Sequence, residues 1–389
     1  MKLNANFGLI QDSYLFATVA DKAAAYTKAH PDKKLIRLGI GDVTIPLCPA
    51  VIDAGVKAVK EMGDAATFRG YGPYEGYEFL RTAVKGYYAK RNVNVGMDEI
   101  FISDGAKSDI GNIVDLFDTD NVVLVPDPVY PVYVDTNLMA GRKIVYADAN
   151  EANEFLPKPD YGVKCDIIYM CSPNNPTGAV YDKAGLKEWV DYAKKMNAII
   201  LFDSAYEFYV TDTALPRSVY EVEGADEVAI EFCSLSKTAG FTGTRCGYTI
   251  IPKKLGAINR MWLRRQSTKY NGVPYIVQRM AEAVFSDDGQ KQIAANVGVY
   301  MKNARLISDT LSELGIWHTG GVNSPYIWFK VPGGDSWAFF DRLLEEANVV
   351  GTPGAGFGKN GEGFLRLTAF NNYENTAEAM KRIKAMLSK

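Results

Sequence analysis

The middle of the chain alternates short apolar runs with stretches that carry the periodicity of a helix. Several runs are apolar almost throughout, as expected of strands that are buried on both faces of a sheet. These strand candidates lie at residues 99–103, 121–125, 165–171, 198–202, 228–233 and 247–251. Helices are predicted between them, for example at 106–117 and 183–196. The alternation predicts the α/β class, a mostly parallel central sheet flanked by helices, with ligands expected at the carboxyl ends of its strands.

The pattern changes from about residue 285 onward. Helices predicted at 288–314 and 335–347 flank short strands at 325–330 and 364–368, which indicates a smaller α+β unit. A strand at 35–40 is a candidate to join that unit from the N-terminal side. The predicted organisation is therefore an N-terminal arm with part of the small domain at 1–45, a large domain at 46–284, and a small C-terminal domain at 285–389.

The composition of the chain argues against several classes of function. The 389 residues are 47% hydrophobic and 23% charged, which is typical of a globular protein. The net charge of -3 gives no electrostatic basis for binding nucleic acid or an anionic membrane. There is no run of about 18 apolar residues, and the N-terminus lacks the apolar core of a secretory signal. Five cysteines without a Cys-x-x-Cys pair then indicate reduced thiols in a cytoplasmic protein.

Several common kinds of site are not expected. His30 and His318 are the two histidines, and neither has ligand-like neighbours, which argues against a histidine metal site or a Ser-His-Asp triad. The pair Gly39 and Gly41 lacks the third glycine of a dinucleotide fingerprint. The glycine tract at 354–360 resembles a phosphate loop, but no glycine lies five positions before Gly358, and an asparagine follows its lysine. The chemistry must come from lysine, carboxylates, hydroxyls or a cofactor.

The segment Ser234-Leu235-Ser236-Lys237 carries the strongest chemical signal. It follows the apolar run at 228–233 directly, and Arg245 comes eight residues after the lysine. A lysine amine can form a Schiff base with an aldehyde, while hydroxyls and a guanidinium can bind phosphate. The segment therefore indicates an aldehyde-bearing cofactor with a phosphate group.

Polar residues at other strand positions agree with such a ligand. Asp203 ends an apolar strand, where a buried carboxylate needs a cationic partner such as a protonated ring nitrogen, and Tyr206 could reach the same ring. Arg366 lies inside an apolar strand and needs an anion, for which a substrate carboxylate has the matching bidentate geometry. Prolines on both sides of an asparagine pair would fix the direction of the Asn175 amide. The junction at 103–107 offers backbone N–H groups to an anion.

These residues occur in a characteristic order. Asn175, Asp203, Lys237, Arg245 and Arg366 are separated by 28, 34, 8 and 121 residues. The series resembles the fold-type I, class I/II pyridoxal-phosphate aminotransferases over nearly the whole chain. Within that family the chain is most similar to the LL-diaminopimelate aminotransferases, in the segments Ser13-Tyr14-Leu15-Phe16, Leu38-Gly39-Ile40-Gly41-Asp42, Gly70-Tyr71-Gly72, Ser103-Asp104-Gly105-Ala106-Lys107, Asp127-Pro128-Val129-Tyr130-Pro131, Asp203-Ser204-Ala205-Tyr206, Ala239-Gly240-Phe241-Thr242-Gly243 and Gly361-Glu362-Gly363-Phe364-Leu365-Arg366.

The resemblance implies a role for each matching residue. Pyridoxal 5′-phosphate (PLP) would be the cofactor, and Lys237 would hold it and then act as the base that moves the substrate proton. Asp203 would pair with the pyridine nitrogen, Asn175 and Tyr206 would bind the ring 3′-oxygen, and Tyr130 would stack on the ring. The phosphate would contact the N–H groups of Ala106 and Lys107, the side chains of Ser234, Ser236 and Arg245, and Tyr71 from a neighbouring subunit.

The resemblance also implies small-molecule amino acid and keto acid substrates. Arg366 would bind the α-carboxylate, with Gly41 and Asn175 lining the same pocket. Further substrate contacts are implied for Tyr14, Lys107, Tyr130 and Asn271. A homodimer is expected, with Tyr71 reaching the partner's site and Asn271 as a further candidate for such a contact. No metal is expected.

The implied reaction converts tetrahydrodipicolinate and L-glutamate to LL-2,6-diaminopimelate and 2-oxoglutarate by a ping-pong route, a step of lysine and cell-wall biosynthesis. One stretch departs from the family pattern. Some members carry a substrate-binding glutamate just before the Gly-Tyr-Gly motif, whereas residues 65–69 contain no acid and end in Arg69. A broad-specificity aspartate or aromatic aminotransferase therefore stays open, as does a PLP-dependent β-lyase or regulator.

Overall fold

The computed structural model describes residues 1–10 and 14–388. Its α-helices are α1 (Leu15–Ala29), α2 (Pro49–Met62), α3 (Glu78–Ala89), α4 (Ala106–Asn112), α5 (Val132–Met139), α6 (Lys183–Met196), α7 (Leu235–Ala239), α8 (Ala257–Lys269), α9 (Tyr275–Val284), α10 (Asp287–Glu313), α11 (Ser336–Ala347) and α12 (Tyr373–Leu387). Its strands are β1 (Ile36–Arg37), β2 (Ile100–Ser103), β3 (Val122–Asp127), β4 (Lys143–Asp148), β5 (Ile167–Cys171), β6 (Ile199–Asp203), β7 (Ala229–Ser234), β8 (Gly247–Ile250), β9 (His318–Gly320), β10 (Tyr326–Lys330), β11 (Val349–Val350), β12 (Thr352–Pro353) and β13 (Phe364–Thr368).

The central sheet of the described residues has the strand order β2-β8-β7-β6-β5-β3-β4. Its inner strands β5 and β6 are buried at every position, because helices cover both faces. Along β5, Ile167, Tyr169 and Cys171 pack into one core cluster, while Ile168 and Met170 pack into the cluster on the opposite face. The period of two that separates these faces is that of a pleated strand. The prediction of an α/β fold with a mostly parallel sheet is confirmed.

Two features of the sheet were not specified by the sequence, namely the direction of β8 and the presence of β4. Strand β8 runs antiparallel to its neighbours β2 and β7, whereas the remaining pairs are parallel. Strand β4 contains the short apolar run Ile144-Val145-Tyr146-Ala147 but was not predicted, and its residues are all partly or fully exposed. It pairs through its backbone with β3 in register Val122↔Lys143. An edge strand needs only one buried face, so its sequence pattern is weak.

The predicted helix at 106–117 is also shorter than expected. Helix α4 ends at Asn112, and a 3₁₀ turn continues from Ile113 to Leu116. Gly111 and Asn112 are poor helix formers, which favours the change of geometry at that point. The helix at 183–196 agrees with its prediction. Its N-cap Asp182 accepts a hydrogen bond from Gly185 N at 2.7 Å, and Asn197 closes it in the left-handed conformation.

A second sheet lies in the C-terminal part, with strand order β12-β13-β10-β9. All its pairs are antiparallel, and Arg366 lies opposite Trp328 on one side and Thr352 on the other. The N-terminal strand shrinks from the predicted 35–40 to β1, which pairs in parallel with β11. This pairing supports the proposal that residues 1–45 contribute to the small domain, although the exact division at 284 and 285 stays a prediction.

The carboxyl ends of three neighbouring strands define one edge of the central sheet. β5, β6 and β7 end on Cys171, Asp203 and Ser234, with Cys171 opposite Asp203 in the register. Lys237 lies three residues after the end of β7, on α7. The topology therefore brings polar residues that are far apart in sequence to one edge. Among the helices within residues 1–10 and 14–388, none has the length and apolar character that crossing a membrane requires.

Replacing Ile168 with Ala is expected to destabilise the protein by about 2–5 kcal/mol, since the side chain is fully buried between β5 and the helices above it. The shift of the urea unfolding midpoint measures the effect. Val322→Ala is the control, because Val322 is 71% exposed. Equal midpoints for the two variants would contradict the assignment of Ile168 to the core.

Candidate active site

Lys237 lies at the edge formed by the carboxyl ends of the central strands. The preceding Ser234 caps α7 by accepting a hydrogen bond from Ser236 N at 3.2 Å. The Tyr209 hydroxyl donates to the Lys237 carbonyl at 2.8 Å, which fixes the backbone of the lysine from the opposite side. Short loops and two hydrogen bonds thus determine where the amine projects.

The amine of Lys237 is in an environment that favours its neutral form. Burial lowers its pKa from the usual 10.5 to about 8. Asp42 opposes this shift, whereas the nearby positive charges of Arg245 and Arg366 add to it. A lysine with such a pKa has a substantial neutral fraction near neutral pH, and the neutral amine is the form that acts as nucleophile and base.

Arg245, Ser234, Ser236 and the start of α4 surround a space suited to an anion, which we call the Arg245 cradle. Arg245 donates from Nη1 to Ser236 Oγ at 3.1 Å and to the Thr242 carbonyl at 3.3 Å. Its backbone has the left-handed φ of 63°, a conformation that costs energy in a residue other than glycine and is often found at functional sites. A Cβ on Gly105 would lie 2.8 Å from Arg245 Nη2 and 4.0 Å from Ser234 Oγ. Glycine at this junction therefore leaves room between the guanidinium, the hydroxyls and the start of α4.

Ala106 and Lys107 form the first turn of α4 next to this cradle. The Lys107 amine lies 4.9 Å from the centre of the Tyr14 ring, a cation–π contact. Tyr130 follows β3 and lies at the other side of these residues, 6.3 Å from the Phe16 ring centre and 5.8 Å from that of Tyr133. Tyr14 and Tyr130, which were named from the sequence, thus belong to one aromatic cluster with Phe16.

Asp203 is a buried carboxylate whose two oxygens are both hydrogen-bonded. The Tyr133 hydroxyl donates to Oδ2 at 2.7 Å, and Ala205 N donates to Oδ1 at 3.0 Å. Burial raises the pKa of Asp203, and these two hydrogen bonds oppose the rise. Within the described ranges no positively charged side chain contributes to that pKa. A cation from a bound molecule would supply the missing partner.

Arg366 is a buried guanidinium, 1% exposed, held by neutral groups. Nη1 donates to Asn175 Oδ1 and Nη2 to the Gly39 carbonyl, both at 2.6 Å. Its Nε is buried and has no hydrogen-bond partner in the structure. The Tyr326 ring centre lies 4.5 Å from the guanidinium carbon. A fixed guanidinium without a carboxylate is suited to bind the carboxylate of a ligand.

Tyr206 and Gly41 both lie against Tyr326, the tyrosine whose ring faces Arg366. The hydroxyl groups of Tyr206 and Tyr326 are 2.7 Å apart. A Cβ at Gly41 would lie 2.5 Å from the Tyr326 hydroxyl oxygen, so only glycine leaves this hydroxyl its space. The structure therefore brings Gly41, Tyr206 and Arg366 together through Tyr326.

Tyr71 and Asn271 are placed differently. Both lie on the surface, and Tyr71 is 91% exposed. Arg69, the residue that departs from the family pattern, has its guanidinium carbon 5.9 Å from the Tyr275 ring centre, at a surface cavity of about 530 Å³. Ser13, from the first matched segment, lies outside the described residues.

Sequence reasoning missed three residues of this site. Tyr133 binds Asp203, Tyr326 links Tyr206 to Arg366, and Asp42 acts on Lys237. Tyr133 follows Tyr130 by three residues, just inside α5, and this spacing was a signal that both could face the same ligand. Tyr326 had no comparable signal, because its position in an apolar strand fits an ordinary core residue.

Comparison with known proteins agrees with the predicted fold and family. Residues 33–383 match the family described as "Aminotransferase class I and II". The chain belongs to this family of aminotransferases, which confirms the class predicted from the sequence.

Particular relatives give a narrower comparison. The chain is 54% identical to an LL-diaminopimelate aminotransferase of Lachnospira eligens, over 99% of this chain and 100% of the relative. Its fold matches the L,L-diaminopimelate aminotransferase from Chlamydomonas reinhardtii with a TM-score of 0.94 and 41% identity, over 99% and 98% of the two chains. An aspartate aminotransferase from Thermotoga maritima matches with a TM-score of 0.87 and 25% identity, over 100% of both chains.

In the cofactor-free protein, the Lys237 amine is expected to lose its proton with a midpoint near pH 8, because burial lowers its pKa. The neutral fraction therefore rises as the pH increases through 8, while ordinary lysines titrate near 10.4. NMR of ¹³C-labelled lysine Cε measures both, and Lys237→Arg identifies the resonance by removing it. A midpoint of about 10.4 for Lys237 would contradict the proposed environment.

Proposed function

We propose that this aminotransferase converts tetrahydrodipicolinate and L-glutamate to LL-2,6-diaminopimelate and 2-oxoglutarate by a ping-pong route. The observation that carries the catalytic part of the proposal is the desolvated amine of Lys237, which lies close enough to Arg245 and Arg366 for both positive charges to act on it. Similarity over the full length of the chain supports this choice of substrate. Sequence identity is 54% to the diaminopimelate aminotransferase of Lachnospira eligens. Among the solved structures, it is 41% to the diaminopimelate aminotransferase and 25% to the aspartate aminotransferase. The product would place the reaction in lysine and cell-wall biosynthesis. All five cysteines are buried and unpaired, which supports a reducing, cytoplasmic setting.

The residues present fit PLP, the cofactor of this family. An aldehyde needs a neutral amine, a phosphate needs cationic and hydroxyl donors, and a protonated ring nitrogen needs a buried carboxylate. Lys237, the Arg245 cradle and Asp203 meet these three needs. When bound, PLP supplies an electron sink that stabilises negative charge at the substrate Cα.

We propose the following contacts with the cofactor. Ser234, Ser236, Arg245 and the N–H groups of Ala106 and Lys107 would hold the phosphate. Asp203 would keep a proton on the ring nitrogen, and the Tyr133 hydroxyl orients the carboxylate for this role. Asn175 and Tyr206 would donate to the ring 3′-oxygen, while Tyr130 would cover one face of the ring.

Lys237 would first bind the cofactor and then move the substrate proton. Its pKa of about 8 lies close to neutral pH, which suits a group that must accept a proton from Cα and release it again. Asp42 attracts the proton, whereas Arg245 and Arg366 repel it. Burial has the largest effect on the basicity of Nζ, and these charges adjust it.

Arg366 would bind the α-carboxylate of each substrate. Its Nη1 and Nη2 are already oriented by Asn175 and Gly39, so little side-chain freedom is lost on binding. Gly41 would leave space for the substrate beside the Tyr326 hydroxyl. Tyr14, Lys107 and Tyr130 would contact the remaining part of the substrate, and Asn271 is proposed to reach it from a partner subunit.

We further propose a homodimer in which Tyr71 completes the partner's phosphate site. Tyr71 is 91% exposed and Phe68, beside it, is 60% exposed. Ile52, Val56 and Val59 of α2 are also exposed, at 44%, 50% and 55%. Exposed apolar side chains grouped on one helix and a following loop are typical of a subunit contact.

The purified protein is expected to form diaminopimelate from tetrahydrodipicolinate only when L-glutamate is present. Lys237→Ala should lower the rate by about 10²–10⁴-fold, because the proton-transfer group is lost. Product formation by mass spectrometry and half-reactions with diaminopimelate, aspartate and phenylalanine provide the measurement. Faster half-reactions with aspartate or phenylalanine would support the broad-specificity alternative instead, and ammonia release without a keto-acid acceptor would support a β-lyase.

Mixed dimers test the role of Tyr71. Tyr71→Ala and Lys237→Ala homodimers should each have low activity, whereas a dimer with one subunit of each type should recover about half of the wild-type activity. In that mixed dimer, one site would receive intact Tyr71 and intact Lys237 from different subunits. An inactive mixed dimer would show that Tyr71 serves its own subunit's site.

A further inference from the structure

The glycine tract at 354–360, which resembles a phosphate loop in sequence, contacts a carboxylate of the protein itself. Asp127 ends β3 in the central sheet, and its Oδ1 accepts a hydrogen bond from Asn360 N at 3.2 Å. Gly358 has a φ of 139°, and a Cβ there would lie 1.9 Å from Asp127 Oδ1. The tract is therefore shaped so closely around this carboxylate that only glycine fits.

Further contacts close the same junction. Val129 N donates to the Phe357 carbonyl at 2.8 Å, and Asn360 Nδ2 donates to the Asp127 carbonyl at 3.3 Å. Asp127 is only 7% exposed. Burial raises the pKa of its carboxyl, and the N–H groups of Asn360 and Lys359 oppose this rise. A buried carboxylate that depends on backbone N–H groups fixes their position, because moving them would leave it unpartnered.

The junction connects two parts of the active site. On the side of the central sheet, Tyr130 follows Asp127 by three residues. On the other side, the Phe357 ring centre lies 5.0 Å from the guanidinium carbon of Arg366. The Phe16 ring packs against Phe357 at 5.9 Å and also faces Arg366 at 5.4 Å. The carboxylate-binding arginine thus rests on a loop whose position relative to the central sheet is set at Asp127.

We propose that Asp127 is a positioning residue: its carboxylate locks the 357–360 loop to the end of β3 and so holds Arg366 at the correct distance from the cofactor residues. The inference rests on the proposed function of Arg366. A second link between the same regions, Lys330 to Glu151 at 2.9 Å, joins two side chains that are 57% and 41% exposed. Such a surface pair contributes little, so it cannot replace the buried contact.

Asp127→Asn tests the lock with a side chain of the same size. Loss of the charged acceptor should raise the KM values for L-glutamate and tetrahydrodipicolinate about tenfold, while kcat stays within about twofold and the visible absorption of lysine-bound PLP is unchanged. Gly358→Ala disturbs the same contact from the loop and should give the same pattern. Asp148→Asn is the matched control, since the Asp148 carboxylate is exposed and accepts from the Asn360 side chain at 3.0 Å, whereas the backbone N–H of Asn360 donates to Asp127.

Hydrogen–deuterium exchange of the full-length, cofactor-free chain gives a readout without activity. The peptide spanning 354–363 should exchange about tenfold faster in Asp127→Asn than in the wild type or in Asp148→Asn. If Asp127→Asn does not fold, Gly358→Ala decides the question by the same two measurements. Variants that match Asp148→Asn in KM and in exchange would overturn the inference. An inactive wild type would instead contradict the proposed function, and the exchange comparison would still test the lock.

Discussion

The site depends on burying charged groups without opposite charges. Asp203 and Arg366 are both withdrawn from water, yet neutral hydrogen-bonding groups hold them, and among the residues that the structure describes no side chain forms an ion pair with either. Such burial is costly, so the surrounding fold must supply the stability that keeps these groups in place. A ligand with a cationic ring nitrogen and a carboxylate would remove both costs at once. The fold therefore holds both charged groups in position for such a ligand before the ligand binds.

The same principle explains the state of the lysine. A buried amine that faced only Asp42 would stay protonated, and one that faced only arginines would be too weak a base. Lys237 has both kinds of neighbour, and burial determines the net direction of its pKa. Its reactivity is consequently a property of residues from three separate regions of the chain, around Asp42, Lys237 and Arg366, which the fold brings together.

The sequence predicted the interior of the fold better than its edges. The buried strands produced continuous apolar runs, and their predicted bounds differ from those of the structure by at most two residues. Edge strand β4 was missed although residues 144–147 are apolar, because the run is short and the strand is only partly buried. The antiparallel direction of β8 left no pattern, because strand direction is set by the connections. The site residues with an ionisable side chain in an apolar context, Asp203, Lys237 and Arg366, were recognisable for that reason. Tyr326 makes its contacts with Tyr206 and Arg366 only in the folded chain, so its position in an apolar strand gave little indication.

Asn175 accepts from Arg366 through Oδ1, and its other amide atom is the one proposed to serve the ring 3′-oxygen. A single rigid amide that bridges two ligand groups couples them thermodynamically. A carboxylate bound to Arg366 would change the hydrogen bond from Arg366 to the amide, and hence the electron density of the ring. By reciprocity, the bound ring would change the affinity of Arg366 for the carboxylate. Binding of the amino acid would then change the properties of the ring before the reaction begins, through one side chain and without a conformational change of the backbone.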